Sequence, residues 1–191
     1  MKAAIMGYGT IGSGVYEVLD RNCKIVEKKA GEPIKVKYIL DLREFPGTPI
    51  EKLVIHDVKT IVDDPEIGIV VETMGGTTPA YEFVKSCLLA GKHVVTSNKA
   101  LVAAHGTELI RIAAEKNVSF LFEASVGGGI PIIRPLVECL GGEEIEEISG
   151  ILNGTTNYIL TKMNEEGWSF EEALKCAQEL GYAERNPEAD V

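Results

Sequence analysis

Three glycines near the start of the chain constrain its fold more than any other feature. Gly7, Gly9 and Gly12 form a G-x-G-x-x-G pattern that follows a short apolar run at residues 3–6 and opens an amphipathic segment. In a strand–loop–helix unit, the first glycine permits the tight turn, the second lets a pyrophosphate approach the backbone, and the third lets the helix pack closely. The N–H groups of a helix N-terminus favour phosphate. The pattern predicts a βαβ unit that binds NAD or NADP through Gly7, Gly9, Thr10, Ile11 and Gly12.

The apolar periodicity of the next hundred residues predicts alternating strands and helices. We expect strands at residues 2–6, 35–41, 67–72, 93–96 and 118–123, and helices at 10–29, 79–90 and 100–116. Such alternation indicates an α/β fold of Rossmann type with a parallel, doubly wound sheet. In the first helix we expect the apolar face to consist of Ile11, Val15, Val18 and Leu19.

The pattern changes after the glycine run at residues 127–129. We take residues 1–130 as a dinucleotide-binding domain and residues 131–191 as the beginning of a second, α+β unit. There we expect helices at 131–140, 156–164 and 169–180, the last opened by a capping box of Ser169 and Glu172, and a strand with one solvated face at 144–151. Charge also divides the chain near residues 141–142, where we expect a boundary: residues 1–141 carry 16 basic and 17 acidic side chains, and residues 142–191 carry 3 and 12.

Composition excludes several classes of protein. The net charge of −10 argues against a nucleic-acid partner, which requires clustered Lys and Arg. No apolar run reaches the roughly 18 residues of a membrane span, and no signal peptide precedes the first strand, so we expect a cytoplasmic protein with no membrane partner. The four cysteines and three histidines are scattered, which predicts reduced thiols and no zinc site.

Two charged residues follow the second predicted strand. Asp41 occupies the position of an acidic residue that binds the ribose 2′-hydroxyl of NAD, whereas Arg43 is placed to bind the 2′-phosphate of NADP or to lie in solvent as a loop charge. The sequence therefore leaves NAD and NADP both open.

Further candidates follow the later strands at the same edge of the sheet. Thr73 lies in a Glu-Thr-Met-Gly-Gly turn that either contacts the nicotinamide ribose or is a plain turn. Lys99 follows the fourth strand; it either donates a proton to a developing alkoxide or is a surface charge. Glu123 precedes the glycine run, which we interpret as a hinge in preference to a site for a hard cation.

Six segments together resemble the homoserine dehydrogenases. They are GYGTIGSG (7–14), ETMGG (72–76), GKHVVTSNKAL (91–101), EASVGGGIPI (123–132), GILNGTTNYIL (150–160) and AQELGYAERNPEADV (177–191). The resemblance implies reversible reduction of L-aspartate 4-semialdehyde to L-homoserine with NAD(P)H, in threonine, isoleucine and methionine biosynthesis. It also implies a second lobe that binds the amino-acid substrate and forms a homodimer when complete.

The resemblance assigns roles to individual residues. Lys99 matches a lysine that contacts cofactor and substrate, and Thr73 and Ser97 match cofactor contacts. Glu184 matches a glutamate that binds the substrate's amino group, and Asp190 an aspartate nearby. A monovalent-cation site, occupied by sodium in some members and built largely from backbone carbonyls, matches Glu123, Val126, Gly128 and Ile130.

The chain departs from the family at its end. Family members continue beyond the segment matching 177–191 to a further lysine, usually assigned as the main acid/base, whereas this sequence stops at Val191. We therefore expect a truncated form with weak or no turnover that still binds cofactor. Two alternatives remain: another Rossmann dehydrogenase acting on an amino acid, such as an aspartate dehydrogenase, or a noncatalytic NAD(P)-binding module.

Overall fold

The computed structural model describes residues 1–150 and 153–183 and divides the chain into two compact units, Met1–Val126 and Gly127–Val191. The first unit contains six parallel strands in the order β3-β2-β1-β4-β5-β6. From β1 the chain first adds β2 and β3 on one side and then adds β4, β5 and β6 on the other, which is the topology of a doubly wound α/β sheet. The strands are β1 (Lys2–Met6), β2 (Lys35–Leu40), β3 (Val54–Ile55), β4 (Ile67–Glu72), β5 (His93–Thr96) and β6 (Phe120–Leu121).

Helices cover both faces of this sheet because the side chains of each strand alternate between the faces. On one face, Ala4 and Met6 pack in a cluster with buried residues of the helices, among them Ile61, Val84 and Leu109. On the other face, Ile5 packs with Ile39 and Ile50. The helices are α1 (Thr10–Arg21), α2 (Cys23–Ala30), α3 (Lys59–Val62), α4 (Ala80–Leu89) and α5 (Lys99–Lys116). The predicted α/β class and parallel sheet are confirmed.

Three local predictions in this unit were wrong. The helix expected over 10–29 is two helices, because Asn22 leaves helical geometry (φ −101°, ψ 20°). Its expected apolar face is also wrong in part, since Ile11 and Val18 are more than half exposed. The strand expected over 118–123 shortens to the two residues of β6, and a 3₁₀ turn follows at Glu123–Ser125.

In the second unit, α6 (Gly154–Glu166) and α7 (Phe170–Glu179) pack through a small core that includes Ile159, Ala173 and Ala177. The predicted capping box is confirmed: the Ser169 hydroxyl accepts the Glu172 N–H at 3.2 Å, and the Glu172 carboxylate accepts the Ser169 N–H at 2.9 Å. These reciprocal bonds satisfy two N–H groups that a helix start leaves open.

Two other predictions for this unit differ from the structure over the described residues. The helix expected at 131–140 is confirmed only over residues 133–139, where Pro135–Cys139 form a π-helical turn. Residues 144–150 form no strand, because no described segment pairs with them. Ile151, the last residue of that prediction, lies outside the described residues. Within 1–150 and 153–183, no helix is long and apolar enough to span a bilayer.

Candidate cofactor site

The glycine loop joins β1 to α1 and is fitted closely to the turn that follows β4. Gly7 has φ +91°, which favours glycine. A Cβ added to Gly12 would lie 2.0 Å from the Gly7 carbonyl oxygen, so α1 reaches this position only because residue 12 lacks a side chain. A Cβ on Gly9 would meet no atom within 4 Å. The loop is therefore packed at Gly7 and Gly12 and open at Gly9, as a pyrophosphate requires.

The first turn of α1 adds hydrogen-bond donors to this open position. Gly9 is the N-cap, and no side chain caps the helix. The first N–H groups of a helix, here those of Thr10, Ile11 and Gly12, lack intrahelical acceptors and attract anions. The five residues predicted to contact the pyrophosphate thus form one continuous loop and helix start.

Thr73 fixes the loop from the neighbouring strand. Its N–H donates to the Met6 carbonyl at 2.9 Å, and its hydroxyl lies 2.9 Å from the Gly7 carbonyl oxygen and 3.2 Å from that of Met6. The hydroxyl proton is directed at backbone carbonyls, so the observed contacts of Thr73 position the glycine loop. Its predicted contact with the cofactor stays a prediction.

Asp41 and Arg43 form a bidentate ion pair beyond the end of β2. The Arg43 Nε and Nη2 atoms each lie 2.9 Å from an Asp41 carboxylate oxygen, and the N–H groups of Tyr8 and Arg43 donate to the same carboxylate at 2.8 and 2.9 Å. The Arg43 guanidinium holds the pKa of Asp41 well below its usual range. Two residues that the sequence offered as alternatives therefore form one charged pair.

A cavity of about 430 Å³ adjoins this pair and the glycine loop. Apolar side chains form most of its wall, and the polar groups at one end come from Asp41, Arg43 and His56. This is a lining suited to an adenosine, which combines a flat apolar base with a hydroxylated ribose. The cavity lies wholly in the first unit and is lined by Gly7, Leu40, Asp41, Leu42, Arg43, His56, Met74, Pro79 and Phe83.

A buried polar network joins the carboxyl ends of β4 and β5. The Glu72 side chain is fully buried; it accepts the Met74 N–H at 2.7 Å and a short hydrogen bond from the Thr96 hydroxyl. Burial raises the pKa of Glu72, and these hydrogen bonds oppose the rise. The Asn98 side chain donates to the Gly76 carbonyl at 2.6 Å and caps α5 by accepting the Leu101 N–H at 3.1 Å.

This network anchors the start of α5, where Ser97 and Lys99 lie. The Ser97 N–H donates to the Glu72 carbonyl at 3.3 Å, and Lys99 is the exposed first residue of α5. Sequence reasoning missed Glu72 and Asn98 as functional supports. The available signals were an acidic residue ending an apolar strand and an asparagine before a helix.

The remaining predicted site residues lie in both units or outside the described residues. Glu123 and Val126 belong to the first unit, Gly128 and Ile130 to the second, and the cation site that they suggest stays a prediction. Glu184 and Asp190 lie outside the described residues. A cavity of the second unit, about 460 Å³, escaped sequence reasoning and is lined by Gly154, Thr155, Tyr158 and Tyr182.

Two family models match the chain. Residues 7–123 match the model described as the NAD binding domain of homoserine dehydrogenase, and residues 131–191 match the model described as homoserine dehydrogenase. The two matched ranges cover both units.

The similarity to individual relatives extends over the whole chain. The homoserine dehydrogenase of Synechocystis sp. is 47% identical over 100% of the chain and 44% of its own length. A crystal structure of a homoserine dehydrogenase from Thiobacillus denitrificans superimposes with a TM-score of 0.89 at 43% identity, covering 100% of this chain and 45% of that one. A hyperthermophilic archaeal homoserine dehydrogenase in complex with NADPH gives a TM-score of 0.84 at 30% identity, with 100% and 64% covered. The chain spans less than half the length of its curated relatives.

Proposed function

Because the chain belongs to the homoserine dehydrogenase family, we propose that it forms the NAD(P)-binding part, and the beginning of the substrate-binding part, of an enzyme that interconverts L-homoserine and L-aspartate 4-semialdehyde. The reaction belongs to threonine, methionine and isoleucine biosynthesis. One observation carries the proposal: the glycine loop, packed at Gly12 and open at Gly9, adjoins the cavity of about 430 Å³.

The residues present fit a dinucleotide. The loop from Gly7 to Gly12 and the first turn of α1 would hold the pyrophosphate, because they offer N–H donors beside a backbone that no Cβ covers. The apolar cavity would hold the adenosine, with Asp41 and Arg43 at its polar end. The nicotinamide supplies or accepts the hydride when the cofactor is bound.

Lys99 is proposed to bind the oxygen of the reacting carbonyl and to donate a proton to it. A carbonyl that receives a hydride becomes an alkoxide, which a nearby cation stabilises. The network of Glu72, Thr96 and Asn98 fixes the first turn of α5, so it fixes the point from which the lysine side chain extends. Ser97 and Thr73 are proposed to contact the cofactor beside it.

The substrate carries an ammonium group, and carboxylates are proposed to bind it. Glu184 and Asp190 fit this role through the family resemblance. Binding of an ammonium group by carboxylates agrees with the acidic composition of residues 142–191, which carry 12 acidic and 3 basic side chains. A sodium ion at Glu123, Val126, Gly128 and Ile130, and a homodimer, are further parts of the proposal for the complete enzyme.

The cofactor part of the proposal is tested on the 191-residue chain. Titration with NADH and NADPH, followed by nicotinamide fluorescence, should give saturable binding. The catalytic part is tested on the protein extended to the length of its relatives, with homoserine and either cofactor. Oxidation of homoserine is expected there, whereas absence of turnover together with intact dinucleotide binding would favour a noncatalytic binding module.

Lys99→Ala tests the proton donor. Turnover of the extended enzyme should fall at least about 100-fold, by more than the Kd for NADPH rises, since general acid catalysis contributes about 10²–10⁴-fold in addition to any cofactor contact. Lys116→Ala removes an exposed lysine at the other end of the same helix and should leave turnover unchanged. Equal turnover in the two variants would contradict the role of Lys99.

A further inference from the structure

The polar end of the adenosine cavity contains two basic side chains. Arg43 and His56 both line this end, and Asp41 connects them, since its carboxylate pairs with Arg43 and its carbonyl oxygen lies 2.7 Å from His56 Nδ1. His56 follows β3 in the chain, and it was not singled out from the sequence.

The Asp41 carboxylate has no acceptor position left for a ribose hydroxyl in this arrangement. A carboxylate offers about four lone-pair positions, and four donors approach this one: the N–H groups of Tyr8 and Arg43 and the Nε and Nη2 atoms of Arg43. Asp41 therefore acts as a support that orients Arg43. The Arg43 side chain remains 60% exposed at the cavity.

The hydrogen bonds of His56 require an imidazolium. Its Nδ1 atom faces the Asp41 carbonyl oxygen at 2.7 Å, and its Nε2 atom faces a Glu44 carboxylate oxygen at 2.8 Å. Carbonyls and carboxylates only accept hydrogen bonds, so both ring nitrogens must donate. The Glu44 side chain is 71% exposed, and its release from His56 would place the carboxylate in water.

We propose that His56 is a specificity-determining residue that binds the 2′-phosphate of NADP(H) by exchanging its Glu44 carboxylate for that phosphate. The proposal rests on the dinucleotide-binding function proposed above and names which dinucleotide the site prefers. A phosphate monoester carries a charge of about −1.5 to −2 near neutral pH and pairs with two cations. The phosphate can therefore replace the single charge of Glu44 at His56 and also pair with Arg43.

The preference should depend on pH. The groups that act on His56 are the Asp41 carbonyl and carboxylate and the Glu44 carboxylate; the Arg43 guanidinium lines the same cavity, and Asp57, next in the chain, accepts the Lys59 N–H at 2.8 Å. The hydrogen bond to the Asp41 carbonyl, and then that to Glu44, raises the pKa of His56 above its ordinary value. The imidazolium, and with it the contribution of His56 to the preference for a 2′-phosphate, is lost as the pH rises through that raised pKa.

The test is calorimetric titration of the 191-residue chain with AMP and with adenosine 2′,5′-bisphosphate from pH 6 to pH 9. The Kd for AMP divided by the Kd for adenosine 2′,5′-bisphosphate measures the preference for the 2′-phosphate. His56→Gln should lower this ratio about tenfold at pH 6.5 and flatten its pH dependence, because a charge-assisted hydrogen bond is lost. Glu44→Gln should raise the ratio severalfold, since it removes the competing carboxylate.

Two controls separate this proposal from simpler explanations. Lys59→Gln removes an exposed cation outside the cavity lining, and an unchanged ratio is expected. The phosphate's own second ionisation is the same in every variant, so only the difference between wild type and His56→Gln is counted. An unaltered ratio in His56→Gln, or an equal fall in Lys59→Gln, would overturn the proposal while leaving AMP binding intact. Failure of AMP and NADH to bind any variant would refute the dinucleotide-binding function itself.

Discussion

Replacement of Gly12 by alanine is the perturbation whose effect the structure defines most sharply. The added Cβ would lie 2.0 Å from the Gly7 carbonyl oxygen and 2.8 Å from the Thr73 hydroxyl oxygen. Carbon and oxygen in contact need about 3.0–3.5 Å, so either α1 or the loop must move by about 1 Å. The neighbouring atom at 2.0 Å is backbone, which cannot rotate away.

The cost of this displacement can be estimated. Overpacking a well-packed region costs about 1–3 kcal/mol, and we expect the upper end because the contact is with a rigid carbonyl. For a protein of this size, about 3 kcal/mol lowers the Tm by roughly 6–12 °C. Movement of α1 also displaces the N–H groups that would bind pyrophosphate, so Gly12→Ala should lose most of its affinity for NADH as well.

Two other glycines of the same segment are matched controls. A Cβ on Gly14 meets nothing within 4 Å, and Gly14 lies inside α1, so Gly14→Ala should stabilise the protein by about 0.5–1 kcal/mol. A Cβ on Gly9 also meets nothing, so Gly9→Ala should cost only about 0.5 kcal/mol as an N-cap change. It should nevertheless weaken NADH binding severely, because its methyl group occupies the space reserved for pyrophosphate.

The assay combines urea unfolding, followed by far-UV circular dichroism, with NADH titration. The single tryptophan, Trp168, lies in the second unit, so its emission monitors that unit separately. A wild-type unfolding midpoint in Gly12→Ala would refute the packing argument. Undiminished NADH affinity in Gly9→Ala would refute the argument that its open side receives the pyrophosphate.

Three further predictions concern stability. Glu72→Gln should cost about 1 kcal/mol and Glu72→Leu about 3 kcal/mol in urea unfolding, because leucine leaves buried donors without an acceptor; equal costs would contradict this. Ser169→Ala should cost about 1 kcal/mol, read from Trp168 emission, and an unchanged midpoint would show that the cap contributes nothing. Arg43→Gln should be less stable than wild type at pH 7, because the Arg43 guanidinium lowers the pKa of Asp41 in the folded state. This contribution is fully present above the unfolded pKa, near 4, and is lost as the pH falls toward the lower folded value, so the difference should begin to shrink below about pH 4; a difference that is constant with pH would refute this.

Much of the first unit was predictable because its signals are local. The glycine pattern and the β-branched run of β4 each specify their own structure within a few residues, and both predictions were confirmed. The break at Asn22 was not predicted, since the helical periodicity continues across it. The two-residue strand β3 was missed because so short a segment has no periodicity; its pairing with β2 defines it.

The site was less predictable than the fold, because its geometry depends on residues distant in sequence. Asp41 and Arg43 were recognised as alternatives, but their mutual ion pair depends on side-chain conformations that a pattern does not encode. His56 enters the same cavity from β3, 15 residues later. The Glu72 network joins the ends of two strands, and only their adjacency in the sheet reveals it.

The contact between Thr73 and the glycine loop has a consequence for the order of folding. The hydroxyl of Thr73 binds the Gly7 carbonyl across 66 positions of sequence, so the phosphate cradle is held in place only after β4 has docked beside β1. Closing such a long chain segment is slower than forming any local helix. During synthesis, a nascent chain that has emerged only as far as β3 would be unable to retain a dinucleotide. Once β4 has paired with β1, a bound dinucleotide would shift the folding equilibrium toward the assembled sheet, because it binds only the folded state. The cofactor would therefore stabilise the centre of the sheet at a late stage of folding.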